Sequence, residues 1–414
     1  MKLLGPGLVA GAADDDPSGI ATYSQAGAQF GFQLAWTLLL TYPLMVVIQA
    51  ISARLGRTTG KGIAGNLRAH YPNWLVLTIV TLLFTANTLN IGADLGAMAA
   101  AAGLLLPAIP GWGYVLVFGS ICTLAQILCD YARYVAILKW LTLSLFAYFA
   151  TLTVVHVRWL ELAKGLVWPQ FSTQHDFWLT VVAILGTTIS PYLFFWQSSQ
   201  EVEDAKAPPR DRPLREDPSA GPAALERIKL DTIIGMAFSN LVALAILVTS
   251  AATLHASGMR DVGTAAQAAE ALKPLAGHLA FALFSIGIVG TGLLSVPVLA
   301  GSAAYALGEA RGWPVGLARK PQQAKAFYAA IAIATLLGAA AHLLRLNPVK
   351  ALVWAAVLNG IVAVPVMAML MLLGTSSTVM GRFRVSRLWS IAGWTATALM
   401  GIASTAFILS LAAQ

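Results

Sequence analysis

Long apolar runs separated by short polar stretches dominate this chain. A helix needs roughly 20 consecutive apolar residues to cross a bilayer. On that measure the pattern predicts about eleven membrane-spanning helices, near residues 5–28, 32–53, 74–106, 112–129, 135–156, 177–200, 230–254, 279–308, 326–344, 349–373 and 388–411. One polar interruption is long enough to read as a true loop, EVEDAKAPPRDRPLREDPSAGPAALERIK at 201–229, and its proline and mixed charge predict a solvated cytoplasmic linker without chemistry of its own.

Two spans carry interruptions inside their apolar runs. The first contains Asp-Pro-Ser-Gly at 16–19, and the sixth contains ILGTTISPYLFFWQ at 184–197, with Gly186 and Pro191. Proline removes a backbone donor and clashes with the preceding turn, so each span is expected to unwind there. The breaks lie five helices apart. They divide the chain into a first five-helix repeat, 1–156, a second, 177–373, and an extra helix, 388–411, as in an inverted-repeat transporter whose site lies where the broken helices meet.

Composition supports an all-α membrane protein: 58% of the 414 residues are hydrophobic and 11% charged, too few polar residues to cover a water-facing surface. The net charge of +8 resides in short loops, which points to anionic lipid and topology rather than nucleic acid. If the amino terminus is cytoplasmic, nineteen Lys and Arg fall on inner segments, including Lys2, Arg133 and Arg210, and six on outer ones, including Arg345, with Lys139 near a helix start. The positive-inside rule therefore predicts a multi-pass protein of the inner (plasma) membrane with its amino terminus inside and its carboxyl terminus outside. A cleavable signal peptide is not expected. Cys122 and Cys129 lie within apolar runs and read as small packing residues rather than a disulfide.

The first span also holds Asp14, Asp15 and Asp16. An aspartate at the membrane centre costs about 2.5–3.5 kcal/mol on insertion scales, so three without compensation would cost on the order of 7–10 kcal/mol. Asp16 followed by Pro17 has the form of an N-cap and first helical residue, which starts a helix in mid-membrane. That accounts for Asp16 but not for the two acids before it. Clustered carboxylates facing a cavity are hard oxygen ligands for a divalent cation, or proton-exchanging groups.

GPGLVAGAADDDPSGIATYSQAGA resembles the first helix of the Nramp family of divalent metal transporters, in which a GPG leads into Asp-Pro-Gly-Asn and a Gln-Ala-Gly-Ala run. ADLGAMAAAAGLL and MGRFRVSRLW resemble later family segments, and the likeness covers essentially the whole chain in order and helix number. It implies a LeuT-like fold and transport of a divalent metal, usually with protons. On that likeness Asp16 takes the place of the metal-binding aspartate. Gly19 stands where the family has asparagine and would offer only a backbone carbonyl. Ser190-Pro191-Tyr192 replaces Met-Pro-His, exchanging a soft thioether for a hydroxyl, and Gln197 replaces a histidine that would titrate near neutral pH. Asp94 matches an aspartate of the proton route, yet Ala97 follows it where a glutamate is expected and the ninth span has no internal arginine. The usual proton coupling is thus not expected. Asp14, Asp15 and Asp16 with Ser190, Tyr192 and main-chain carbonyls form an oxygen-rich set that favours Mg²⁺ or Mn²⁺ over softer ions, as in the magnesium-transporting branch of Nramp relatives.

Other polar positions have simpler readings. Gln126, Asp130 and Arg133 end the fourth span as a solvated helix end or a gate pair; Asn87 and Asn90 line a pathway or bond across helices; Asn359 and Pro365 face the cavity; the small residues of 287–308 serve packing. His156, His255, His278 and His342 sit near helix ends rather than in a ligand set. The expected function is a secondary carrier of a divalent cation, with no cofactor, the metal being substrate, and an open oligomeric state. The alternative is a carrier of a cationic organic solute on the same fold. An enzyme or sensor is least favoured, because no nucleophile elbow, phosphate loop or metalloprotease spacing occurs.

Overall fold

The computed structural model describes residues 5–128, 142–206, 212–342 and 346–412, and within them every regular element is helical. The first span is split into α1 (Pro6–Asp14) and α2 (Pro17–Phe30). Pro17 has no N–H to offer the carbonyl of Ala13 four residues earlier, and the proline ring disfavours helical geometry at Asp16, which is extended with ψ 169°. Next come α3 (Ala35–Thr59), α4 (Ile63–His70), α5 (Asn73–Leu105), α6 (Gly111–Leu128), α7 (Phe146–Leu152) and α8 (Trp159–Val167). The sixth span is broken in the same manner as the first, into α9 (His175–Thr188) and α10 (Pro191–Lys206). The chain continues with α11 (Gly221–Ser250), α12 (Ala265–Ala269), α13 (Ala280–Arg311), α14 (Lys325–Ala341), α15 (Pro348–Thr375) and α16 (Arg387–Ala412).

Among the described residues, eight helical stretches are long and apolar enough to cross a membrane. They are the expected second, third, fourth, sixth, seventh, eighth, tenth and eleventh spans; the first is the broken pair, the ninth is the 17-residue α14, and the fifth is described only from Thr142. Of the readings above, Cys129, Asp130 and Arg133 lie outside the described residues, as do Lys2, Lys139, Arg210 and Arg345. Cys122 is buried, as a packing residue is.

The stretch 201–229 departs from its expected form. Residues 201–206 complete α10, Pro218–Ala220 forms a 3₁₀ turn and α11 begins at Gly221. Four of the charges that suggested solvation have partners: Arg227 Nη2 lies 2.5 Å from Glu201 and Nη1 3.6 Å from Asp204, while Glu203 accepts the Leu317 amide at 2.7 Å and the Tyr305 hydroxyl. Leu214 and Arg215 donate backbone bonds to Arg57 and Thr58 at the end of α3. The short helices α4 and α8 were also unforeseen, being too brief to register against the long apolar runs.

Connecting segments gather at two ends of the molecule, as alternating spans require. At one end Asp231 of α11 accepts the amides of Gly7 and Leu8, Glu309 of α13 accepts those of Gly62 and Gly65 ahead of and within α4, and Arg54 of α3 donates to the carbonyls of Phe383 and Arg384. At the other, Gln29 of α2 donates to Asp176 at 3.2 Å, Gln25 accepts the Val262 amide at 2.8 Å, and Asn347 donates to Gly263. Broken α1 packs on α11 and α2 on α11 and α15, while α5 lies along α13 and α9 along α15. The α1–α11 contact is backbone on backbone: a Cβ on Gly11 would run into the carbonyl of Gly235, and one on Gly235 into that of Gly7. Asn87 of α5 ties to Leu299 and Ser302 of α13 at 2.9 and 2.7 Å, a bond between helices as its commoner reading supposed.

Candidate functional site at the two helix breaks

Each break leaves a carbonyl without its helical donor, because the residue four positions later is proline. In the first span that carbonyl belongs to Ala13, and the hydroxyl of Tyr192 donates to it at 3.0 Å. In the sixth it belongs to Thr187, and the hydroxyl of Ser190 donates to it at 2.9 Å and to Gly186 O at 2.7 Å. The two hydroxyls expected as cation ligands are thus engaged in replacing the backbone donors that Pro17 and Pro191 remove, and Tyr192 joins one break to the other.

Asp16 caps α2 as its sequence context predicted. Its Oδ1 accepts the Gly19 amide and the Ser18 hydroxyl, each at 2.7 Å, and its Oδ2 accepts Asn90 Nδ2 at 3.1 Å. Asn90 in turn receives Asn359 Nδ2 on its Oδ1 at 3.5 Å, so α2, α5 and α15 meet at this carboxylate. Gly19 serves Asp16 through its N–H, and a carbonyl at that helical position belongs to the i→i−4 ladder. A Cβ at Gly19 would press on Thr187 Oγ1 and the Tyr23 ring.

Asp14 and Asp15 turn the other way. The hydroxyl of Ser239 on α11 lies 2.6 Å from Asp14 Oδ2 and 3.2 Å from Asp15 Oδ1, so two carboxylates share one hydroxyl proton. The remaining oxygens, Asp14 Oδ1 and Asp15 Oδ2, are buried without a donor. All three aspartates are 1–2% exposed. The triplet is therefore divided, and among the described residues no three His, Cys, Asp or Glu side chains converge as a ready metal cage.

Two further expected positions extend this polar core. Asp94, one helical turn beyond Asn90 on α5, accepts Ser295 of α13 at 3.0 Å and leaves Oδ1 without a donor. Gln197 of α10 donates to Thr232 of α11 at 3.0 Å with its Oε1 unmatched, and Asn359 Oδ1 is likewise unmatched. These five orphans are acceptor oxygens, and the hydroxyls of Thr22 and Tyr23 on α2 are also buried without a partner. Among the described residues no Lys or Arg is paired with Asp14, Asp15, Asp16 or Asp94. Buried acceptors compensated only by neutral donors are costly, and what completes such a set is a donor or positive charge: water, protons or a cation.

Ser18, Ser239 and Ser295 escaped the sequence reading. Ser18 was visible as the Asp-Pro-Ser step of a capped helix, but a serine inside an apolar helix such as α11 or α13 carries no signal until its neighbour is known.

The family model described as natural resistance-associated macrophage protein-like, Nramp, matches residues 7–410. Among solved structures, the Eremococcus coleocola manganese transporter in complex with an aromatic bis-isothiourea substituted compound is similar at 19% identity, covering 99% of this chain and 86% of that one, with a TM-score of 0.74. Mhp1, a nucleobase-cation-symport-1 family transporter in a closed conformation with bromovinylhydantoin bound, is similar at 13% identity, 98% and 92% coverage and a TM-score of 0.57. A Na⁺-coupled sialic acid symporter in a substrate-bound outward-open state matches at 12% identity, 98% and 90% coverage and a TM-score of 0.58. These likenesses place the chain in a LeuT-like transporter fold with broken first and sixth helices.

Proposed function

We propose, from the premise that this chain belongs to the Nramp family of transporters, that it carries a hard divalent cation, Mg²⁺ or Mn²⁺, across the membrane through the two helix breaks. The observation that carries the reading is the buried set of acceptor oxygens on Asp14, Asp15, Asp94, Gln197 and Asn359 beside the Asp16 cap, with no cationic side chain paired to its carboxylates among the described residues. Every donor atom in that set is oxygen, which suits a hard ion that keeps part of its water shell. A hydrated ion needs acceptors for its water protons as well as ligands for the metal. Asp14 and Asp15 fit the first need, and Asp16, held at the break by Ser18, Gly19 and Asn90, the second.

Alternating access then moves α1, α2, α9 and α10 against the remaining helices, with residues 1–156 and 177–373 as the two repeats. Asp231 holds α1 at one end of the molecule, and Gln29 with Asp176 holds α2 at the other. The charge distribution of the loops supports placing the amino terminus on the cytoplasmic side of the plasma membrane.

Uptake into proteoliposomes decides the matter. Mn²⁺ and Mg²⁺ flux above protein-free vesicles, lost on Asp16→Ala and reduced on Asp14→Asn with Asp15→Asn, is the expected result. No metal flux, with inhibition of the protein's ligand-induced thermal shift by organic amines, would transfer the site to an organic cation.

A further inference from the structure

A cavity of about 370 Å³ lies at the same end of the molecule as the amino end of α1, between α3, α11 and the start of α16. Its size falls within the roughly 300–1,000 Å³ of small-molecule sites. Ile51, Ile228 and Val385 are its buried apolar lining, and Arg54, Lys229 and Trp389 stand at its edges. Arg54 spends one N–H of Nε on the Phe383 carbonyl at 2.8 Å and one of Nη2 on the Arg384 carbonyl at 3.2 Å. A guanidinium carries five N–H groups, so three remain. Neither Arg54 nor Lys229 is paired with a carboxylate among the described residues.

The surroundings are those of a membrane interface. Arg54 sits in the last turns of α3, Trp389 in the first turn of α16 and Lys229 a little over two turns into α11. From there toward the middle of the spans, α11 exposes Leu230 and Ile234, which continue the i+4 row of the cavity-lining Glu226 as an apolar track. An aromatic ring at the boundary, fixed cations behind it and exposed aliphatic side chains beyond are the recognition elements of a phospholipid with an anionic head. A free anion would use the cations but gain nothing from the track.

We propose that this cavity binds the headgroup of one anionic phospholipid from the bilayer, with Arg54 and Lys229 on the phosphate oxygens and the acyl chains along Leu230 and Ile234. The lipid bridges α3, α11 and α16 and so ties the extra helix to both repeats. Glu226 faces the same cavity and opposes the anion, which gives the test a variant of opposite sign.

Native mass spectrometry on the full chain, taken from detergent containing equal phosphatidylglycerol and phosphatidylcholine, measures the retained lipid. The wild type should hold one phosphatidylglycerol in preference to phosphatidylcholine; Lys229→Gln should weaken that retention about fivefold, and Glu226→Gln should strengthen it. Both residues are exposed, so neither change threatens folding, and Arg54→Gln, which also frees two carbonyls, adds a larger loss. Equal retention of both lipids, or of phosphatidylglycerol by every variant, overturns the proposal. So does a thermal stabilisation by inorganic phosphate that matches the one given by phosphatidylglycerol, since the cavity would then serve a free anion.

Discussion

Asp231 Oδ2 accepts the amide of Gly7 at 2.7 Å, and its Oδ1 that of Leu8 at 3.2 Å, so a residue of α11 caps the free end of α1 across more than 220 positions of sequence. Any movement that opens this end by swinging α1 away must break both bonds. Asp231→Ala is therefore expected to favour the open arrangement by about 1 kcal/mol, the ordinary worth of an N-cap. A cysteine placed at Leu8 should then react several-fold faster with a membrane-impermeant thiol reagent; an unchanged rate would show that Asp231 does not hold the closed form.

Ser239 supplies the only hydroxyl shared by Asp14 and Asp15 among the bonds described. Ser239→Ala should lower the thermal stability of the protein measured with chelator by about 1–3 kcal/mol, the cost of leaving buried acceptors unmatched. Added Mn²⁺ should recover most of that loss, because a cation can serve the same oxygens. A loss that Mn²⁺ leaves untouched would place the two carboxylates outside the ion's reach.

Tyr192→Phe keeps the ring and removes the donor to Ala13 O, and Ser190→Ala removes the donor to Thr187 O. Each is expected to cost about 0.5–1.5 kcal/mol of stability. The Tyr192 change should also slow metal flux, because it alone disconnects one break from the other. Equal flux in both variants would mean that the link between the breaks has no part in transport.

Gln197→His introduces an imidazole beside Thr232. Below its pKa the ring is a cation in a path for cations, and above it the ring is neutral. Flux in this variant should fall as pH drops through about 6.5, the unperturbed imidazole value, relative to the wild type at each pH. Two flat, superimposable profiles would remove Gln197 from the pathway.

The spans and the breaks were legible in the sequence because they rest on strong local rules: run length for a helix that must bond all its own backbone, and a proline that cannot. Asp16 was legible for the same reason, as a cap before a proline. The use made of Ser190 and Tyr192 was not. Their hydroxyls looked like ligands from the family likeness, yet the nearest unmet need is a carbonyl that the break itself creates, and seeing this requires the position of α10 beside α1. The split of the triplet was hidden likewise, since Ser239 lies more than 220 residues away. Residues 201–229 misled for the opposite reason: Glu201 pairs with Arg227 and Glu203 accepts the Tyr305 hydroxyl and the 317 amide, partners that only tertiary contact supplies.

The absence of a paired Lys or Arg beside Asp14, Asp15, Asp16 and Asp94 among the described residues also sets the electrical character of the cycle. After the ion is released, any carboxylate that stays ionised travels with the moving helices as net negative charge, and each unit charge crossing the full field exchanges about 2.3 kcal/mol per 100 mV. Voltage then acts on the return stroke rather than on loading alone. Turnover in vesicles should depend on an imposed potassium diffusion potential, and the dependence should shrink as Asp14 and Asp15 are replaced by asparagine.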